Sequence, residues 1–161
     1  MGVTTAKVMA QALRVPVVGI PSLDLVAWPL RSSRRTVVAV LDARRREVFH
    51  ARYRPVPGGL QREGDYAVGP PADLVGDLEA TGTEVLLAGD GVHSYGDAFA
   101  GLERAEFAGA EFAAPSAAAL VELATRRVEL EEFEAPWALT PMYLRASDAE
   151  IDWDRVRAGA G

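Results

Sequence analysis

Thr36-Val-Val-Ala-Val-Leu41, the bridge Asp42-Ala-Arg-Arg-Arg46 and Glu47-Val-Phe-His-Ala-Arg-Tyr53 form the stretch whose reading decides the fold. The first run is apolar and β-branched, which suits an extended backbone covered on both faces. The second alternates Phe49, Ala51 and Tyr53 against Val48, His50 and Arg52, the period of two that a strand imposes. A short turn between them predicts a β-hairpin. Residues 55–59, with two prolines and two glycines, are read as its end, and residues 66–68 as a third strand.

Downstream, Pro70-Pro71 opens a helix through Leu74, Val75 and Leu78, Gly82 stops it, and residues 84–88 read as a buried strand. Helices are expected around residues 94–99 and 116–127. Upstream, Val3, Ala6, Ala10 and Leu13 recur at helical spacing with Met9 beside them, while Thr4, Lys7, Gln11 and Arg14 make the wetter face. Alanines on that face let another helix approach closely. Pro16 ends this helix, residues 17–20 read as a short buried strand, and Ser22 reads as the N-cap of a helix that Pro29 ends. Asp24 falls in its first turn, where a negative charge is favourable.

With 161 residues, 49% hydrophobic and 25% charged, the chain is long enough for one ordinary core. Expected units are residues 1–30 (helix, strand, helix), an α/β body over 31–150 and a tail over 151–161. The absence of cysteine excludes disulfides, thiolate metal sites and a cysteine nucleophile. His50 and His93 stand far apart without HExxH spacing, so no metal site is expected. No apolar run reaches the roughly 20 residues of a membrane span and no signal peptide is read, so a cytoplasmic location is expected. Net charge is −6, yet residues 1–62 carry 11 Lys/Arg against 3 Asp/Glu and the remainder 6 against 20. Such asymmetry marks either a basic surface for an anionic partner or two parts of one fold that attract each other.

Gly89-Asp90-Gly91 after a strand is the one glycine turn placed where a phosphate could sit on backbone N–H groups, although Asp90 repels phosphate without a cation. Two glycines fall short of a dinucleotide or P-loop fingerprint. His93 and Ser94 suggest a nucleophile, but Val92 stands where a GxSxG elbow needs glycine. Glu129, Glu131, Glu132 and Glu134 have few apolar neighbours to raise a carboxyl pKa and read as a solvated surface. Arg44, Arg45 and Arg46 place three cations in a turn where RNA phosphates could meet them.

Val3-Thr-Thr-Ala-Lys-Val-Met-Ala-Gln-Ala-Leu13, Pro16-Val-Val-Gly-Ile-Pro-Ser-Leu23, Val40-Leu-Asp-Ala-Arg-Arg-Arg-Glu-Val-Phe49, Gly89-Asp-Gly91 and Pro141-Met-Tyr-Leu-Arg-Ala-Ser-Asp-Ala149 occur in succession. Together they resemble the TsaB (YeaZ) family over nearly the whole chain. The resemblance implies an α/β actin-like ATPase fold (sugar kinase/Hsp70, ribonuclease H-like), N-terminally truncated. It also implies a non-catalytic dimerisation subunit in the synthesis of tRNA threonylcarbamoyladenosine, the alternatives being a nucleotide-binding actin-fold enzyme or an M22 glycoprotease-like protein. The implied partner is a TsaD-like subunit, joined by a TsaE-like ATPase, with a homodimer when alone and tRNA contacted indirectly. No catalytic residue and no cofactor are implied, ATP entering only in complex with the partner. Partner contacts would come from Val3, Ala6, Lys7, Met9, Ala10 and Leu13, and a weak nucleotide contact from Gly89, Asp90 and Gly91.

Two departures from the family pattern matter. Met1 stands where a Gly-Leu-Arg lead would be, so the opening strand with its Asp-x-Ser/Thr phosphate loop and the first helix are expected to be missing. Arg46 replaces the glycine usual after Asp-Ala-Arg-Arg; a left-handed backbone there costs about 1 kcal/mol.

Overall fold

The computed structural model describes residues 2–142 and 144. Strands β1 (Thr36–Asp42), β2 (Val48–Val56), β3 (Gly59–Gly69), β4 (Val85–Ala88) and β5 (Ala105–Phe107) build one sheet in the order β3-β2-β1-β4-β5. The predicted hairpin is present: β1 and β2 run antiparallel with Ala39 opposite Ala51 and Val37 opposite Tyr53. On its other edge β1 runs parallel to β4, and β4 parallel to β5. Thus β1 is the central strand, where an antiparallel half meets a parallel half.

That position explains its sequence. Val38 and Val40 pack with Val48, Leu74, Leu87 and Phe99 on one face, under α3 (Pro71–Thr81), α4 (Asp90–Ser94) and α5 (Gly96–Phe99). Val37 and Ala39 pack on the other with Leu23, Val26 and Ala27 of α2 (Ser22–Ala27) and with Ala51 and Tyr53. Each fully buried valine is worth about 1.5–3 kcal/mol over an exposed one. Because α2 shares this core, the expected unit boundary at residue 30 runs through a packed layer.

Helix α1 (Gly2–Leu13), α3 and α6 (Ala117–Glu129) form as predicted; Gly82 takes the left-handed C-cap conformation at φ +60°, and Ser116 Oγ accepts the Ala119 N–H at 3.2 Å. Other expectations are corrected. Residues 17–20 form no strand: Pro16 and Pro21 bracket them, and Val17 makes only an isolated bridge to Glu134. Ser22 is the first helical residue instead of the cap, its position being taken by Pro21 in extended geometry. Pro29 continues the chain into a 3-10 turn, Trp28–Leu30. Strand β2 runs through Pro55, because β1 ends its pairing at Tyr53 and leaves that side of Pro55 without a ladder to break. The actual turn is Pro57-Gly58, with Gly58 at φ +81°. Strand β3 starts seven residues earlier than expected, and the helix expected over 94–99 is two short ones, α4 and α5, parted at Tyr95. Of the 141–149 block only Pro141, Met142 and Leu144 are described, and residues 151–161 lie outside the described residues.

The charge asymmetry resolves into attraction within the fold. Arg31 pairs with Glu122 at 3.3 Å, Arg35 with Glu84 at 3.1 Å and Glu106 at 2.8 Å, and Arg52 with Asp77 at 3.5 Å, each joining the basic part to the acidic part. His50 stands near Arg52 and Asp77 on the same face. Burial, then the Arg52 charge, lowers its pKa, with Asp77 opposing. Since the unfolded imidazole protonates near pH 6.5 and the folded one only below that, stability should fall as pH drops through 6.5. Replacing His50→Gln should flatten urea-unfolding midpoints between pH 7 and 5.5; an unaltered slope would assign that dependence elsewhere.

Candidate functional site at the strand ends and on the first helix

A groove of about 560 Å³ lies beyond the carboxyl ends of β1 and β4. Leu41, Asp42, Phe49, Tyr66, Asp90 and Ser22 line it, as do Val3 of α1 and Met142. Open α/β sheets place ligand crevices at this end of parallel strands, beside the point where direction changes.

The carboxylates here are engaged by backbone and side-chain donors of the chain itself. Asp90 Oδ1 accepts the Asp42 N–H at 2.9 Å. Asp42 Oδ1 accepts the Arg44 N–H at 2.8 Å and the Tyr95 hydroxyl at 3.0 Å. Together they tie the β1–β2 turn to the start of α4. Gly89 and Gly91 are explained by packing against β1: a Cβ on Gly89 would fall on the Val40 carbonyl, and one on Gly91 would meet Val40 Cγ1 at 2.9 Å. The turn that resembles a phosphate loop is therefore shaped by close packing on the adjacent strand β1, and α4 behind it has five residues. His93 and Ser94 are both exposed, on a helix where neighbours diverge by about 100°. Among the described residues no group of three or more His, Cys, Asp or Glu could hold a metal ion. Glu129, Glu131 and Glu132 are exposed; Glu132 and Glu134 lie 4.0 and 3.8 Å from Arg127.

On α1 the six expected contact residues separate into two stripes. Val3, Lys7 and Ala10 turn toward the body: Ala10 is buried, and Lys7 Nζ donates to the Trp137 carbonyl at 3.3 Å. Lys7, half-buried, is thus tied to the body at its rim, and Ala10 is covered from this side. Ala6, Met9 and Leu13 are open, Met9 57% and Leu13 67% exposed. Ala6, Met9 and Leu13, at i, i+3 and i+7, thus leave an apolar stripe open along α1.

One constellation was not expected. Asp24 Oδ1 accepts hydrogen bonds from Tyr53 at 2.7 Å and Tyr66 at 2.8 Å. Burial first, and Asp24 next, push the Tyr53 phenol well above its ordinary pKa, and burial with the Asp24 hydrogen bond does the same to Tyr66. The Arg62 guanidinium lies over the Tyr66 ring at 4.1 Å. The partners stand 29 and 42 residues from Asp24, beyond what local patterning reveals.

A sheet with a hairpin edge, a parallel continuation and helices on both faces is a lobe of the actin-like ATPase-type fold. A family described as TsaD, tRNA N6-adenosine threonylcarbamoyltransferase, matches residues 1–153, and the chain belongs to it. Among solved structures it is similar to YeaZ from Pseudomonas aeruginosa, 27% identical with a TM-score of 0.69 over 88% of this chain and 66% of that one. It is also similar to a Pseudomonas aeruginosa protein described as having similarity to peptidase YeaZ: 26% identity, TM-score 0.73, over 89% of this chain and 66% of that one. The protein Rv3421c of Mycobacterium tuberculosis is 30% identical over 92% of this chain and 58% of its own length. ML0378 of Mycobacterium leprae is 39% identical over 58% of this chain and 23% of its own. The chain thus spans well under two thirds of the length of these mycobacterial relatives. No helix among the described residues is long and apolar enough to cross a membrane.

Proposed function

We propose that the chain is a TsaB-like scaffold that supports a TsaD-like catalytic subunit in forming threonylcarbamoyladenosine on tRNA. The observation that carries this reading is the open stripe Ala6, Met9 and Leu13 on α1, an apolar helix face beside a body that resembles YeaZ. The engagement of Asp42, Asp90 and Tyr95 with one another supports a holding role over bond-making. In this reading the chain pairs with itself when alone, works in the cytoplasm, and meets a TsaE-like ATPase and ATP only within the assembly.

Association with a TsaD-like subunit tests it. Met9→Glu with Leu13→Glu places two charges on the stripe without touching buried Ala10. Co-elution should be lost, with affinity falling at least tenfold, or about 1.4 kcal/mol. Unchanged affinity would remove this face from the assembly.

A further inference from the structure

The β1–β2 turn is built against the backbone preference of the residues it contains. Arg44, Arg45 and Arg46 take φ +62°, +55° and +63°, and the Glu47 N–H closes on the Arg44 carbonyl at 3.0 Å. Positive φ at both central positions is the primed hairpin geometry that Asn-Gly adopts freely and arginine does not. Strain of this kind persists where the surroundings enforce it and is a pointer to function. Here the turn is held by the Arg44 N–H bond to Asp42 and by the exchange of backbone bonds among Ala43, Arg44 and Glu47.

All three arginines are exposed. Elsewhere in the basic part, Arg31, Arg35 and Arg52 meet carboxylates of the acidic part. The Arg44 guanidinium at the tip is 87% exposed, and its carboxylate, Asp42, comes from the adjoining strand at 3.5 Å. The three stand exposed on consecutive residues of the turn. They suit several anions spaced along a surface. A protein partner would be anchored by an apolar or aromatic side chain, and the tip offers none, Ala43 being buried. Phosphate contacts need only arginine forks and position without an apolar anchor.

We propose that this tip is a direct contact for the phosphate backbone of RNA; that the RNA is tRNA rests on the function proposed above. Direct contact replaces the indirect one the family resemblance implies. The acidic remainder of the chain orients the approach by repulsion, leaving the tip as the point of contact.

Unmodified tRNA transcript titrated against the full chain by fluorescence anisotropy, at several salt concentrations, tests the proposal. The natural chain should bind with a linear dependence of log affinity on log salt. Changing Arg44→Ala, Arg45→Ala and Arg46→Ala together should weaken binding about tenfold or more near 0.1 M salt and flatten the slope by about 2. Arg46→Gly relieves the turn and should raise the thermal midpoint by about 2–4 °C while weakening binding, so loss of affinity cannot be put down to unfolding. Arg34→Ala, at the opposite end of β1, should leave binding unchanged. No salt-dependent binding by the natural chain, an unaltered slope in the triple variant, or equal retention of polyglutamate would overturn the proposal. Co-elution with the TsaD-like subunit, measured in parallel, should survive the triple change. Its absence in the natural chain as well, with arginine-dependent tRNA binding intact, would overturn the scaffold reading and keep the phosphate contact.

Discussion

Gly89→Ala is expected to cost about 3–5 kcal/mol, or to prevent folding, even though it adds one methyl group outside the main apolar core. Gly89 sits at φ +115°, a conformation an L side chain rarely adopts, and that alone costs about 1–3 kcal/mol. Its Cβ would also fall on the Val40 carbonyl oxygen and lie 2.8 Å from the carbonyl carbon. The obstruction is backbone, which cannot rotate aside, so β4 would have to draw away from β1 where Ala39 pairs with Ala88. Two neighbours grade the effect. Gly58→Ala, at φ +81° in open space, should cost about 1 kcal/mol from strain alone. Gly91→Ala, meeting Val40 Cγ1 at 2.9 Å and the Leu41 carbonyl carbon at 3.0 Å, should cost about 1–3 kcal/mol. Denaturant unfolding of the three variants checks the ranking. Equal losses at 58 and 89 would mean that β1 does not press on this turn, and the packing account of the glycines would fail.

The contrast between Gly89 and β1 shows which parts of the fold local sequence can report. A strand covered on both faces must be apolar at every position, so residues 36–41 announce themselves. Strand β5 has three residues, two of them exposed, and carries no period to read. Gln61 to Asp65 of β3 are exposed and polar along an edge, so that strand's length was hidden although its end at residues 66–68 was visible. Helical spacing identified α1 but not its outward stripe. Ala10 and Ala6 look alike in sequence, but Ala10 is buried and shares a cavity with Phe133 and Trp137, more than a hundred positions away. The strain at Arg46 was legible from the missing glycine. That Arg44 and Arg45 share it was not, because nothing in the run of three arginines announces the hydrogen bond from the Arg44 N–H to Asp42 Oδ1. Asp24 gives the clearest limit: its sequence position suggested a helix-dipole charge, whereas its oxygen gathers two phenols from two other strands.

Asp24→Ala is accordingly expected to cost about 3 kcal/mol. Each hydrogen bond to a charged acceptor is worth about 1.5–3 kcal/mol, and losing the carboxylate leaves both hydroxyls without their acceptor, so the two losses arrive together. They are reduced by the partial exposure of Asp24. Tyr53→Phe or Tyr66→Phe alone should cost about 1 kcal/mol, because the remaining phenol keeps the carboxylate engaged. In the Asp24→Ala background, converting both tyrosines to phenylalanine should recover stability, since apolar groups of the same shape leave nothing unsatisfied. Losses that merely add would show three independent contacts instead of one shared oxygen. Alkali supplies a second readout. Folding raises both tyrosine pKa values, so above about pH 10 the unfolded chain ionises phenols that the folded chain keeps protonated, and stability should decline as pH rises. Without the Asp24 charge that decline should be shallower. Tyr66 also walls the groove at the strand ends, so the constellation that pins α2 to the sheet holds one side of that groove in place. A groove whose wall rests on a carboxylate with two phenols already bound to one oxygen is built to keep its shape, which suits the scaffold role proposed above.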